Sequence, residues 1–239
     1  MSPGGPEEVA EILSGCGLGG WRVLDIGSGL GGVDLILAER HGAAEVIGID
    51  VEDQLVEAAT RLASTKRLSE RVKFELVQPG PLPFDDSSFD LVFSKDAMVL
   101  IHDNRPLFRE IMRVLKPGGL FRAADWLWAK GAETSPVVQA WLSEGQSDYV
   151  FTTPADTRKA MQAAAFTEIS VVERRHALRE ANRKEIEILE GASRRRLAEL
   201  IGEDRAARRL LSARRRQAAL ESGDLIPSHL RGKKPSYPW

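Results

Sequence analysis

Residues 23–32 read VLDIGSGLGG: a short apolar run, an acid, then four glycines within six positions. Gly27, Gly29 and Gly32 have the spacing G-x-G-x-x-G, and the residues that follow, GGVDLILAERHG at 31–42, read as a helix. A strand that turns on glycines into a helix lets the backbone approach a ligand closely and points free N–H groups at it. Such turns lie at the carboxyl ends of strands in a doubly wound sheet.

The rest of the chain repeats the alternation, which predicts βαβ units and a parallel sheet. Strands are expected at 22–27, 45–50, 72–77, 89–96 and 119–125, and helices at 6–15, 31–42, 53–65 and 104–115. LKPGG at 115–119 is expected to break the last of these helices before the fifth strand. Residues 126–155 read as an insertion carrying Trp126, Trp128, Trp141 and Tyr149, followed by a helix at 154–165 and a sixth strand at 166–174. Residues 174–216 read as helix, with 14 Lys and Arg against 7 Asp and Glu, either a solvated face or an anion site. Residues 225–234 suit an antiparallel edge strand, where Pro227 would be tolerated.

The net charge of −2 and the 43% hydrophobic content fit a globular protein with a real core rather than a nucleic-acid coat. The single cysteine, Cys16, excludes an internal disulfide and suits a small packing residue better than a nucleophile. The first residues have no basic start and no apolar run, and no stretch is long enough to span a bilayer. A cytoplasmic protein without membrane contact is the expectation. No His, Cys and Asp cluster has metal-ligand spacing, so no metal is expected.

Asp25 bears on the ligand of the turn. A carboxylate is repelled by a pyrophosphate and attracted to an ammonium. That favours S-adenosylmethionine (SAM), which carries an ammonium and no phosphate, over a nicotinamide dinucleotide. Asp50, at the end of the second strand, suits ribose hydroxyls in either case.

VLDIGSGLGG, GIDV at 48–51 and LKPGG resemble the motifs of class I SAM-dependent methyltransferases. MSPGGPEEVAEIL at 1–13 and FDLVFSKDAMVLIHDNRPLFREIMRVLKPGGLFRAADW at 89–126 resemble phosphoethanolamine N-methyltransferases, with small-amine betaine-forming enzymes also similar. The resemblance implies a Rossmann-like α/β fold, doubly wound, with a helical entry lid and an inserted plus C-terminal helical cap. It implies one domain over 1–239: a lid at 1–20, a SAM-binding core at 21–125, a substrate-side insertion at 126–165, and the last strands and Arg-rich helices at 166–239.

The same resemblance implies a cofactor site of Ser2, Asp25, Gly27, Ser28, Gly29, Asp50, Val51 and Ser94, with S-adenosylhomocysteine as product. Gln78 stands where the family has an acid near adenine, and its carbonyl can accept a bond from an adenine amino group. The family's active-site His corresponds to Leu100, and the position of its Tyr falls ahead of Met1. Asp96 remains, and His102 is a candidate replacement or a polar helix-start residue. Trp126 stands where the family has a Tyr.

Methyl transfer from a sulfonium is a direct displacement, for which alignment is the main demand. A protonated amine needs a base, whereas a thioether does not. The losses therefore point to an acceptor with little need of a base: an already methylated amine, or a thioether such as methionine. Asp96 would hold an ammonium, and Trp126, Trp128, Trp141 and Tyr149 would either face a cation or pack the insertion. A nucleic-acid acceptor is disfavoured because SKDA at 94–97 replaces the base-gripping stretch of such enzymes. The chemical alternatives are an S-methyltransferase and a SAM-binding protein without activity. Oligomeric state is not legible.

Overall fold

The computed structural model describes residues 4–143, 149–191 and 193–236. The strands are β1 Arg22–Ile26, β2 Glu45–Asp50, β3 Val72–Leu76, β4 Phe89–Lys95, β5 Leu115–Trp128, β6 Thr167–Glu173 and β7 Leu225–Lys233. The helices are α1 Gly5–Ile12, α2 Gly32–Glu39, α3 Asp53–Thr65, α4 Asn104–Val114, α5 Pro136–Leu142, α6 Pro154–Ala163, α7 Arg175–Glu190, α8 Ser193–Ile201 and α9 Glu203–Ser222. One seven-stranded sheet has the order β3-β2-β1-β4-β5-β7-β6. Strands β1 to β5 are parallel, and β7 runs antiparallel to both its neighbours.

The parallel strands are apolar on both faces because helices cover both faces. Leu24, Ile47, Val92 and Phe121 are buried in one core with Phe108 and Ile111 of α4, while Val23, Val46, Leu91 and Phe93 pack with Val9 and Ile12 of α1 and Leu37 of α2. Cys16 is half-buried against the second of these cores. Pro6 sits in the first turn of α1, where its missing N–H costs nothing, and Glu7 and Glu8 lie at the positive end of the helix dipole.

Three expectations are corrected. Strand β5 begins at Leu115, not after the glycines, because Lys116–Gly119 forms a bulge between the pairs Phe89–Leu115 and Leu91–Leu120. Gly118 takes a left-handed φ of 79°, and Lys116 Nζ reaches the Asp90 carboxylate at 2.8 Å. Strand β5 also runs to Trp128, so Trp126 and Trp128 belong to the sheet, paired with Pro227 and Leu225, rather than to an insertion. Finally, β7 lies inside the sheet and β6 is the edge. Pro227 is tolerated there because β6 pairing ends at Ser228, leaving the Pro227 carbonyl free to accept from the Arg174 N–H at 2.7 Å. The Arg-rich run divides into α7, α8 and α9, with Gly191 and Gly202 between them.

Candidate functional site

The turn after β1 is built by close packing. The N–H groups of Gly27 and Ser28 both donate to the Ile49 carbonyl, binding the turn to β2. Gly27 has φ 78°, and a Cβ there would lie 2.2 Å from the Ala97 Cβ, so no other residue fits. Asp50 accepts from the N–H of Gly29 at 2.9 Å and of Glu52 at 3.0 Å, which fixes its carboxylate at the mouth of the cleft. A Cβ on Gly29 would meet nothing within 4 Å, so open space lies above the turn. Val51 and Gln78 are exposed beside it.

Beneath the turn lies a pair of buried acids. Asp25 is 2% exposed and Asp34, on α2, is 0% exposed. No N–H or O–H of the described residues reaches Asp25 Oδ1 or either carboxyl oxygen of Asp34. Gly48 makes room for them, since a Cβ there would lie 2.5 Å from Asp34 Oδ1. Burial pushes the Asp25 carboxyl up to about 7; the nearby Asp50 charge adds to this, and Asp34 and Lys95 oppose it. Burial, and then the Asp25 charge, push Asp34 well above the usual carboxylate range. A cation arriving at Asp25 Oδ1 would favour the ionised form that burial disfavours.

A second charged cluster stands further along the same edge of the sheet, at the ends of β4, β5 and the start of β7. Glu8, Lys95, Asp96, Asp125, Trp126, Arg174 and His229 line a cavity of about 10 Å³ as measured for the centre of a water-sized sphere. That is room for one water or one ammonium head. Asp96 holds a left-handed φ of 57° and its carboxylate meets Lys95 Nζ at 2.7 Å. Asp125 is 4% exposed and accepts from the Trp126 N–H at 2.7 Å. Burial, and then the charge of Asp96, raise its carboxyl to about 8. His229 Nε2 and Glu8 Oε1 are 2.5 Å apart. Burial opposes ionisation of Glu8, but the bond to His229 and the nearby cations win and hold its carboxyl below the usual value. Arg174 pairs with Glu11.

The aromatic residues make a core of their own. Trp126 and Trp141 have ring centres 6.0 Å apart, Trp141 stacks on Tyr149 at 5.7 Å, and Trp128 stacks on Phe151 at 5.0 Å. Trp126, Trp141 and Phe151 are buried with Val138, Leu178, Ala219 and Leu220, Trp128 and Tyr149 are half-buried against them, and the Arg216 guanidinium already lies 6.0 Å from the Trp126 ring. Of the four, Trp126 alone lines the charged cavity.

The fold thus brings together Asp25, Gly27, Ser28, Gly29 and Asp50 in one place, and Asp96 with Trp126 in another. Ser94 lies at the end of β4 but is 1% exposed and donates to the Ile26 carbonyl at 2.9 Å, which ties β4 to β1. His102 is exposed, next to Asp103, which caps α4 by accepting from the Arg105 N–H. Leu100 is 50% exposed. Ser2 lies outside the described residues. Glu8, Asp34, Lys95, Asp125, Arg174 and His229 escaped sequence reasoning. Only Asp125 carried a signal, an acid at the end of an apolar run.

A family model described as a methyltransferase domain matches residues 19–173. A sterol 24-C-methyltransferase of Aspergillus fumigatus is 38% identical over 108 residues, 45% of this chain and 28% of that protein. A phosphoethanolamine N-methyltransferase of Triticum aestivum is 33% identical over 132 residues, 55% of this chain and 26% of its own length. A phosphoethanolamine N-methyltransferase 2 of Haemonchus contortus, solved with phosphomonomethylethanolamine and S-adenosylhomocysteine, superposes with a TM-score of 0.89 at 25% identity, over 98% of this chain and 54% of that one. The matches thus span about a quarter of the curated relatives and about half of that solved chain.

Proposed function

This chain belongs to the methyltransferase-domain family, and from that premise we propose that it transfers a methyl group from SAM to the nitrogen of a small-molecule amine. The observation that carries the reading is the charged cavity at the ends of β4 and β5, where Asp96 and Asp125 stand close enough for one charge to raise the other's pKa. An ammonium head arriving there would stabilise the ionised form of Asp125 and share the Asp96 carboxylate with Lys95, whereas an anion would meet both acids.

The residues around the glycine turn fit the cofactor. Asp25 Oδ1 is a buried acceptor without a donor, which an aminoacyl ammonium would satisfy. Asp50 is held with lone pairs to spare for ribose hydroxyls. Gly27, Ser28 and Gly29 would keep side chains clear of the cofactor's carbon chain, and Val51 and Gln78 would flank its base. Ser94 serves this site by joining β1 to β4. When bound, SAM supplies a methyl carried on a positively charged sulfur. This chain's own residues bind and orient: Asp96 and Asp125 hold the amine in line with the cofactor end of the cleft, and Trp126 and its aromatic neighbours close the site against water.

Three arginines of α9 meet glutamates of α7: Arg209 and Arg216 reach Glu185, and Arg214 reaches Glu190. These pairs take up part of the basic surplus of the helical lobe, which supports a small acceptor over a nucleic acid. No helix among the described residues is long and apolar enough to cross a membrane.

Incubation with methyl-labelled SAM and a pool of primary to tertiary amines, their phosphate esters, methionine and other thioethers tests the reading. A labelled amine is the expected product. A labelled thioether, or SAM binding without any labelled product, would overturn it.

A further inference from the structure

Resting on that reading, we propose that His229, oriented by Glu8, is the base that removes the proton from the amine before methyl transfer. An alkylamine has a pKa of about 10, so near neutral pH its lone pair is blocked by a proton. Methyl transfer at nitrogen therefore needs a proton acceptor within reach of the ammonium. His102 does not meet the need: it is exposed and outside the cavity.

His229 does. It is 3% exposed and lines the same cavity as Asp96 and Asp125. Its register fixes the direction of its ring. His229 is paired with Ala124 on β5, and Ala124 with Lys95 on β4, so all three side chains leave the same face of the sheet, the face covered by α1. Glu8 reaches down from α1 to Nε2, which leaves Nδ1 as the nitrogen for a guest in the cavity. A carboxylate on one ring nitrogen fixes the tautomer that accepts at the other and stabilises the imidazolium once formed.

The charges around the ring support that cycle. Glu8 faces it from α1, and Lys95 and Asp96 stand at the end of β4 and Arg174 before α7; Asp125, one residue beyond Ala124, lines the cavity but sends its side chain from the other face of the sheet. Lys95 is paired with Asp96 and Arg174 with Glu11. Both cations that would oppose an imidazolium are thus neutralised locally, and Glu8 remains as the counter-charge of His229.

In the step, an N–H bond of the ammonium breaks and an Nδ1–H bond forms on His229. The freed nitrogen lone pair forms the N–C bond to the methyl carbon as the C–S bond breaks, its electrons remaining on sulfur. The proton leaves His229 to solvent when the product departs.

The test uses the full chain with His229→Gln, Glu8→Gln and His229→Gly. The acceptor is whichever amine the wild type methylates, beside a β-fluorinated analogue that is mostly unprotonated at pH 8. The His229→Gln variant is expected to retain SAM affinity, to lose about 100-fold or more in kcat on the ordinary amine, and to lose far less on the fluorinated one. Glu8→Gln should move the acidic limb of the kcat profile to lower pH, because the imidazolium loses its counter-charge. Imidazole in solution should partly restore the His229→Gly variant. Adding the amine to the SAM-free protein should also shift the His229 ring resonances in a proton NMR titration. Equal losses on both amines, no rescue and an unmoved pH limb would reduce the Glu8–His229 pair to a strut between α1 and β7. A wild type that methylates no amine would instead overturn the N-methyl reading, and the base with it.

Discussion

The two halves of the sheet's carboxyl edge solve the problem of placing acids by opposite means. At the glycine turn, Asp25, Gly27, Gly29, Asp34, Gly48 and Asp50 lie within 26 residues of one another in the chain. Backbone N–H groups and the absence of side chains shape that half. Around the end of β5 and the first half of β7, Glu8, Asp96, Asp125, Arg174 and His229 come from five separate segments, and side-chain charges shape the space. The first half is specified by neighbouring residues, whereas the second depends on residues far apart in the chain. Affinity for the cofactor and choice of acceptor should therefore respond to different substitutions.

The largest effect expected is from Gly27→Val, which forces an L side chain into a left-handed φ and onto Ala97. A loss of at least 3 kcal/mol in stability, seen as a lowered melting temperature, should accompany loss of SAM binding. Next is Trp141→Ala in the aromatic core, with about 3–4 kcal/mol lost in denaturant unfolding but SAM affinity changed less than twofold. A large change in SAM affinity there would mean that the two halves are not separable. Asp25→Asn should weaken SAM about 100-fold by calorimetry, with little loss of fold, because the acid is strained by burial in the first place.

The acidity of Asp25 gives a milder test. Its carboxyl is raised to about 7, so bound cation competes with bound proton, and SAM affinity should fall about tenfold between pH 8 and pH 6. The ligand-free fold has the opposite trend. A raised carboxyl favours the folded state below the ordinary value of 3.8, and that contribution is lost as pH rises through about 7 for Asp25 and about 8 for Asp125. Melting temperature without SAM should decline from pH 5 to pH 9. Asp34→Ala removes a group that opposes the rise of the Asp25 carboxyl and should move the affinity profile to higher pH. Smallest of all, His102→Ala should change kcat less than threefold.

The pattern of legibility follows the same division. The glycine spacing, Asp25 and Asp50 sit on single strand ends, where periodicity and turn chemistry speak directly. Strand β2 and helix α3 have the limits that their apolar patterns imply, whereas LKPGG misled because a bulge and a helix break share the same residues. The order of β7 was not legible, since antiparallel insertion between β5 and β6 is set by contacts far apart in sequence. His229 lay in LIPSHLRG without any local mark of a role; only the register opposite Ala124 brings it to Glu8, 221 residues away. The aromatic residues of 126–151 were legible as a cluster but not as a core until α9 was seen to cover them.

The placement of β7 also orders events during synthesis. A nascent chain that has emerged as far as β6 already holds the whole glycine turn, yet β6 has no neighbour to pair with until residues 225–233 arrive. Those residues bring both the missing rung of the sheet and His229. The residues of the proposed cofactor turn are therefore all present well before those of the proposed acceptor pocket, and the sheet cannot close around the second until the last strand is made.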